Sequence, residues 1–180
     1  MGIERSFSPE RLVVGTLRAS SFSTAVMEGE LESLFGPIDY RGPEFPFVFS
    51  DYYEAEMGTG LLRSFYSFAR LIDPAGLADC KLATDALERG WAGEGGRPVN
   101  LDPGLLSLGR FILATTKNRS QRVPLRDGIY AELTLYYRDG DFRPLPWTYP
   151  DWQSPAYLAV LRDLRSRLKS DLKRELPPRA

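Results

Sequence analysis

The chain has 180 residues, 43% of them hydrophobic and 26% charged, and a net charge of −1. That is enough for one domain that buries roughly two thirds of its unfolded surface, and it fits neither a fibrous repeat nor a disordered chain nor a committed nucleic-acid binder. It has no histidine and one cysteine, Cys80, which excludes the Ser-His-Asp triad, the Cys-His pair, His-ligated metals, thiolate cages and an internal disulfide, and leaves carboxylates, Lys, Tyr or a hard metal for any catalysis.

Leu12-Val13-Val14-Gly15-Thr16-Leu17 has the apolar, β-branched character of a buried strand. A Ser-rich entry then leads into a helix with Met27, Leu31, Leu34 and Phe35 on one face, ended by Gly36-Pro37, since glycine turns left-handed there and proline cannot continue the helix. Pro43 to Phe49 carries two prolines among alternating apolar residues, which suits an edge strand or extended loop. Leu61 to Ile72 reads as a longer strand with Leu62, Tyr66, Phe68 and Ile72 inward. Asp73-Pro74 caps a second helix running to about Trp91, broken by Gly93-Glu94-Gly95-Gly96. Cys80 on this helix reads as a small buried apolar residue.

Arg110 to Lys117 is expected to be a strand. In the next, Ile129, Ala131, Leu133, Leu135 and Tyr137 alternate with polar neighbours, and Asp139-Gly140 closes a hairpin. Ser154-Pro155 caps a last helix whose apolar stripe is Tyr157, Leu161, Leu164, Leu168 and Leu172, with Pro177-Pro178 as its stop. The element order predicts one α+β domain over residues 1–180: a mainly antiparallel sheet covered by about three helices, with a ferredoxin-like core, an added hairpin and a C-terminal helix. Residues 1–10 and 177–180 are expected to be mobile tails. No apolar run approaches the roughly 20 residues of a membrane span, and Met1-Gly2-Ile3-Glu4-Arg5 opens no signal peptide. The expected setting is the cytoplasm, with no membrane partner.

Charge is uneven: residues 1–60 hold 4 basic and 10 acidic groups, and residues 101–180 hold 14 and 9, a polarity that can steer an anion toward the C-terminal half. Lys117, Arg119, Arg122 and Arg126 follow one another with no acid between them and form a candidate phosphate-binding loop, the alternative being a solvated connection. Asp51, Glu54 and Glu56 beside Tyr52 and Tyr53 offer oxygen ligands for magnesium, the candidate cofactor; a solvated acidic turn explains them as well. Asn100 and Asp102, before Pro103-Gly104, suit a metal, a sugar hydroxyl or an Asx turn. Trp147-Thr148-Tyr149-Pro150-Asp151-Trp152 either presents side chains to a pocket or plugs the space under the last helix. Nucleotide fingerprints are missing: there is no phosphate loop, and Arg119 stands where a GTPase Thr-Lys-x-Asp element has its carboxylate.

Five segments in order, Ser50-Asp51-Tyr52-Tyr53-Glu54 through Gly58, Val99 to Gly104, Leu113 to Lys117, Gly128 to Glu132 and Trp147 to Asp151, resemble the bacterial family known as domain of unknown function 4416. The resemblance spans nearly the whole chain. It implies a single domain and a shared polar set of Asp51, Tyr52, Tyr53, Lys81, Asn100, Asp102, Lys117, Glu132, Trp147, Tyr149 and Asp151, and it implies no reaction.

Together these features favour binding of a small anionic ligand, phosphate-bearing or nucleotide-like. In a catalytic version Lys117 and Arg119 hold phosphate, while Asp51, Asp102 or Glu132 serves a magnesium ion or acts as base. The rival is a protein-interaction module docking through its basic C-terminal helix and aromatic segment. Nucleic acid ranks behind both.

Overall fold

The computed structural model describes residues 3–175. Among them nine strands form one antiparallel sheet: β1 (Arg11–Arg18), β2 (Ile38–Arg41), β3 (Phe45–Pro46), β4 (Leu62–Phe68), β5 (Val99–Leu106), β6 (Arg110–Thr115), β7 (Val123–Arg126), β8 (Ile129–Arg138) and β9 (Asp141–Pro144). The helices are α1 (Thr24–Phe35), the single turn α2 (Glu54–Met57), α3 (Leu77–Trp91) and α4 (Pro155–Glu175). The sheet runs β2-β4-β1-β5-β6-β8-β7, with β3 also on β4 and β9 also on β8. Its first four strands, with α1 between β1 and β2 and α3 between β4 and β5, have the interleaved topology of a ferredoxin-like core. β6 extends that sheet as a hairpin with β5, and β8 follows it, paired with β6, β7 and β9, the last two through the β7–β8 and β8–β9 hairpins. The expected single α+β domain is therefore the one observed.

The local signals act as their chemistry predicts. Ser23 caps α1 by accepting the Val26 N–H, and Asp73 accepts from the Ala75 N–H ahead of α3. Asp139-Gly140 has positive φ at both residues, as does Asp127-Gly128 between β7 and β8, the backbone that two-residue hairpins require.

β1 is buried along its whole length because the sheet is covered on both faces. On one face, Met27, Leu31 and Phe35 of α1 and Leu77, Ala78 and Cys80 of α3 pack on Leu12, Val14, Tyr66, Phe68 and Leu101. Burial pushes the Cys80 thiol up to about 11, in keeping with an inert core residue. On the other face, Tyr157, Leu161 and Leu164 of α4 pack with Trp152 on Phe65, Phe111, Leu135 and Phe142. Beside them Leu17, Met57 and Leu61, with Phe47 and Tyr53, form a smaller cluster under α2. No helix of the described residues is long and apolar enough to cross a membrane.

Several expectations are corrected. Leu34, assigned to the apolar face of α1, is exposed. Glu10, assigned to a mobile tail, is buried, exchanges backbone hydrogen bonds with Ile72 and pairs with Arg110 at 2.7 Å. The single-face reading of β8 also fails. Phe111 lies opposite Leu135 and Ile112 opposite Leu133, so a bulge at Thr134 shifts the register. Ile129 and Ala131 thus face the α3 side and Leu135 and Tyr137 the α4 side, Leu133 is only partly buried, and Glu132 and Thr134 are buried in its place. Pro177-Pro178 and residues 177–180 lie outside the described residues.

Candidate functional site

The sheet parts in its middle. β5 pairs with β6 only through Gly104–Leu113, Leu105–Ile112 and Leu106–Phe111, whereas Val99 to Pro103 pair with β1 alone and Ala114 and Thr115 with β8 alone. Proline explains where the ladder stops. In an antiparallel strand successive residues direct both backbone groups to alternate sides, and Leu101 directs its pair away from β1, since its N–H donates to Glu88 Oε1 (2.6 Å) and its carbonyl accepts from Lys81 Nζ (2.9 Å). Pro103, two residues on, faces the same side with no N–H to offer β6. Asn100 and Asp102 are thus strand residues, not turn residues, and Pro103 sits in an interior strand because the ladder it interrupts has been replaced by side chains of α3.

Lys81 and Glu88 are buried to make that replacement. The Lys81 ammonium also meets Asp85 at 2.8 Å, and Glu88 pairs with Arg97, which reaches Glu56 at 2.9 Å. Burial raises the Glu88 carboxyl above its ordinary value despite Lys81, the Leu101 N–H and Arg97.

On the α4 face of the opening stands Arg63, 2% exposed. Its Nη1 donates to Asp102 Oδ2 (3.1 Å), its Nη2 to Asp151 Oδ2 (3.2 Å), and its guanidinium lies 5.5 Å from the Phe47 ring centre. Gly15 on β1 lies beside this guanidinium, and a Cβ there would make ordinary van der Waals contact with Arg63, Phe65 and Trp152 at 3.4 to 3.5 Å. The two carboxylates diverge. Burial favours neutral Asp102, but Arg63, Lys81 and the neighbouring Asn100 amide outweigh it and lower its pKa. For Asp151 burial wins over Arg63, and the nearby Asp102 charge adds to the rise. The Tyr53 phenol is raised by burial and by Asp102, against Arg63 and Arg97. Burial also pushes the Tyr157 phenol up to about 12, against Arg63. Three buried polar atoms here have no hydrogen-bond partner in the protein: Arg63 Nε, Asn100 Nδ2 and Tyr157 Oη. Buried polar atoms are almost always satisfied, so their gathering in one place marks it out.

Of the residues singled out from sequence, Tyr53, Asn100, Asp102 and Asp151 therefore meet around Arg63, with Lys81 close enough to act on Asp102. Tyr52 and Lys117 form the rim: Lys117 Nζ donates to Tyr52 Oη at 3.3 Å and sits 4.6 Å from its ring centre, while Tyr52 meets the Tyr53 ring edge-on at 5.1 Å. Arg119 is exposed on the same loop. Glu132 is buried below it, accepting from Arg122 Nε at 2.6 Å and Gln121 Nε2 at 3.1 Å, and Arg122 Nη1 donates to the Lys117 carbonyl at 2.7 Å.

The remaining candidates lie elsewhere. The four-residue basic cluster disperses, since Arg122 is committed to Glu132 and Arg126 to Asp79 and Asp127. Asp51 and Glu54 line a separate open cleft of about 500 Å³ with Phe47, Val48 and Phe49. No group of three or more acidic or cysteine side chains among the described residues is placed to hold a metal ion, so the acidic segment supplies no magnesium cage. Trp147 donates to the Leu133 carbonyl at 2.8 Å, and Tyr149 is exposed. Trp152 is the aromatic plug, edge-on to Phe65 and Tyr157 and tilted against Phe111.

Sequence reasoning missed Arg63 and Glu88. An arginine inside a strand with apolar residues on both faces was the available signal for the first. Glu88, one acid on a charged helix, gave none.

A model of the family described as Domain of unknown function (DUF4416) matches residues 8–168. Neither the curated proteins nor the solved structures contain a match.

Proposed function

Because the chain belongs to the domain of unknown function 4416 family, a membership that assigns no reaction, we propose from its own geometry that it binds a small phosphate-bearing ligand where β5 and β6 part. The observation that carries the reading is the coincidence of that opening with an unpartnered buried donor on its β5 wall, Asn100 Nδ2, and an exposed lysine at its rim. Lys117 and Arg119 receive the anion at the rim. Tyr52 and Tyr53 cover it, and Asn100 and Asp102 form the wall. Arg63 holds the wall rigid. Lys81 and Glu88 keep β5 in place without β6, and Arg122 and Glu132 fix the loop that carries Lys117.

The test is a thermal-shift screen with inorganic phosphate, nucleoside phosphates and sugar phosphates, with and without magnesium. A ligand raises Tm by mass action, and Lys117→Ala removes the shift while keeping its own Tm, since Lys117 is exposed. No shift with any phosphate refutes the proposal.

A second reading, docking of a protein segment, is favoured at a different place from the one expected. The apolar stripe of α4 is spent on the core, which leaves that helix only its charged side. The cleft beside Val48 (80% exposed) and Phe49 (39% exposed) is apolar, and its charged lining residues are Asp51 and Glu54, so it suits a basic, apolar segment.

A further inference from the structure

We infer that the ligand is a phosphorylated polyol or sugar, with one hydroxyl held between Asn100 and Asp102 while its phosphate meets Lys117. This rests on the binding site proposed above and names the chemistry of its occupant.

Asn100 is 5% exposed, and its Nδ2 is a donor without a partner. Asp102 gives Oδ2 to Arg63, and its side chain remains 25% exposed. Arg63 and Lys81 keep that carboxylate ionised at neutral pH against the effect of burial, so it can only accept. The two residues share one face of β5, about 7 Å apart along the strand, and the Asn100 amide lies near enough to help lower the Asp102 pKa. A donor and an acceptor are thus offered side by side.

A phosphate or carboxylate oxygen would suit Asn100 but would be repelled by Asp102. An amine would suit Asp102 but leave Asn100 unpaired. A hydroxyl satisfies both, donating to Asp102 and accepting from Asn100. The anionic end then belongs at Lys117. Lys117 follows directly on the end of β6 at Thr115, while Asn100 and Asp102 stand on β5 before its pairing with β6 begins at Gly104. The phosphate and hydroxyl positions are therefore on opposite walls of the parting, to be bridged by a short carbon chain or one sugar ring.

Isothermal titration of the intact protein with ribose 5-phosphate and with n-butyl phosphate separates the contributions. The inference predicts that ribose 5-phosphate binds roughly tenfold or more tightly than butyl phosphate, since a site built for a hydroxyl discriminates against its absence. Asn100→Ala and, separately, Asp102→Asn each bring the two affinities together, while Lys117→Ala weakens both ligands. A melt of each variant confirms that it is folded, and the two wall variants guard against either one failing to fold. Equal affinity of the two phosphates for the wild-type protein overturns the hydroxyl inference and leaves the anion site standing. A preference that survives both wall variants overturns the assignment to Asn100 and Asp102. Binding of neither ligand, or indifference to Lys117→Ala, overturns the inference together with the site.

Discussion

Replacing Arg63 by methionine keeps much of the side-chain volume and removes the cation. Arg63 is 2% exposed and bonds Asp102 and Asp151 at 3.1 and 3.2 Å, so the substitution leaves two carboxylates facing each other, with Asp151 only 8% exposed at its side chain. Breaking a buried ion pair from one side costs about 3–5 kcal/mol, and a domain of this size loses roughly 2–4 °C of Tm per kcal/mol. Arg63→Met should therefore melt roughly 6–20 °C below the wild-type protein at pH 7. Without Arg63, which lowers both carboxyls, the folded Asp151 value rises further above its ordinary one, and Asp102 loses the largest of the groups that hold it down against burial. A carboxyl so raised favours the native state at low pH and loses that contribution as pH rises through its folded value. The cost of Arg63→Met should accordingly shrink between pH 7 and pH 4. Neutralising all three positions in Arg63→Met/Asp102→Asn/Asp151→Asn should restore most of the loss, since a neutral, well-packed replacement of a buried ion pair is often no less stable. Calorimetric melts of the two variants at both pH values provide the assay. A Tm change below about 2 °C, or a cost that does not depend on pH, would refute the view that Arg63 is the electrostatic centre of the site.

Asp151→Asn should show an unusual pH dependence in urea unfolding. Burial raises the Asp151 carboxyl above its ordinary value, so its contribution to stability is full below about pH 4 and is lost as pH rises through the folded pKa; the destabilisation caused by the variant should be greatest at pH 3 to 4 and smaller at pH 7. A simple salt-bridge account predicts the reverse. Gly104→Ala tests the last rung before the opening: an added Cβ would lie 2.6 Å from the Phe111 ring and 2.7 Å from the Ile112 carbonyl oxygen, so overpacking should cost about 1–3 kcal/mol or more, read as a lower urea midpoint. A neutral Gly104→Ala would mean that β5 and β6 are not closed there.

What the sequence made legible was local. The apolar run of β1, the Ser-rich entry to α1, the Asp73 cap, the Asp139-Gly140 hairpin and the stripe of α4 are each written within a few residues, and each folds as read. Pro103 was misleading because its rule concerns ladders: proline is excluded from an interior strand only where a neighbour needs its N–H, and here Glu88 and Lys81 occupy the place of that neighbour. The alternation of β8 was misleading because one bulge exchanges the faces halfway along. Among the charged residues, Arg122 looked like surface until Glu132 arrived from the next strand to pair with it. Asn100, Asp102, Tyr53 and Asp151 were recognisable one by one, but the residue that assembles two of them, Arg63, comes from a fourth segment with no signature of its own. Convergence of distant segments is a property of topology, which no local window contains.

The most direct measurement of the central claim, that the parted strands are the binding site, is an amide ¹H–¹⁵N NMR titration with ribose 5-phosphate. The largest shifts should fall on Tyr52 and Tyr53, Asn100 to Asp102 and Thr115 to Lys117, three segments distant in sequence that meet only at the opening. Shifts confined to the Pro46 to Leu62 cleft or to the outer side of α4, or no shifts at ligand concentrations in the millimolar range, would contradict it.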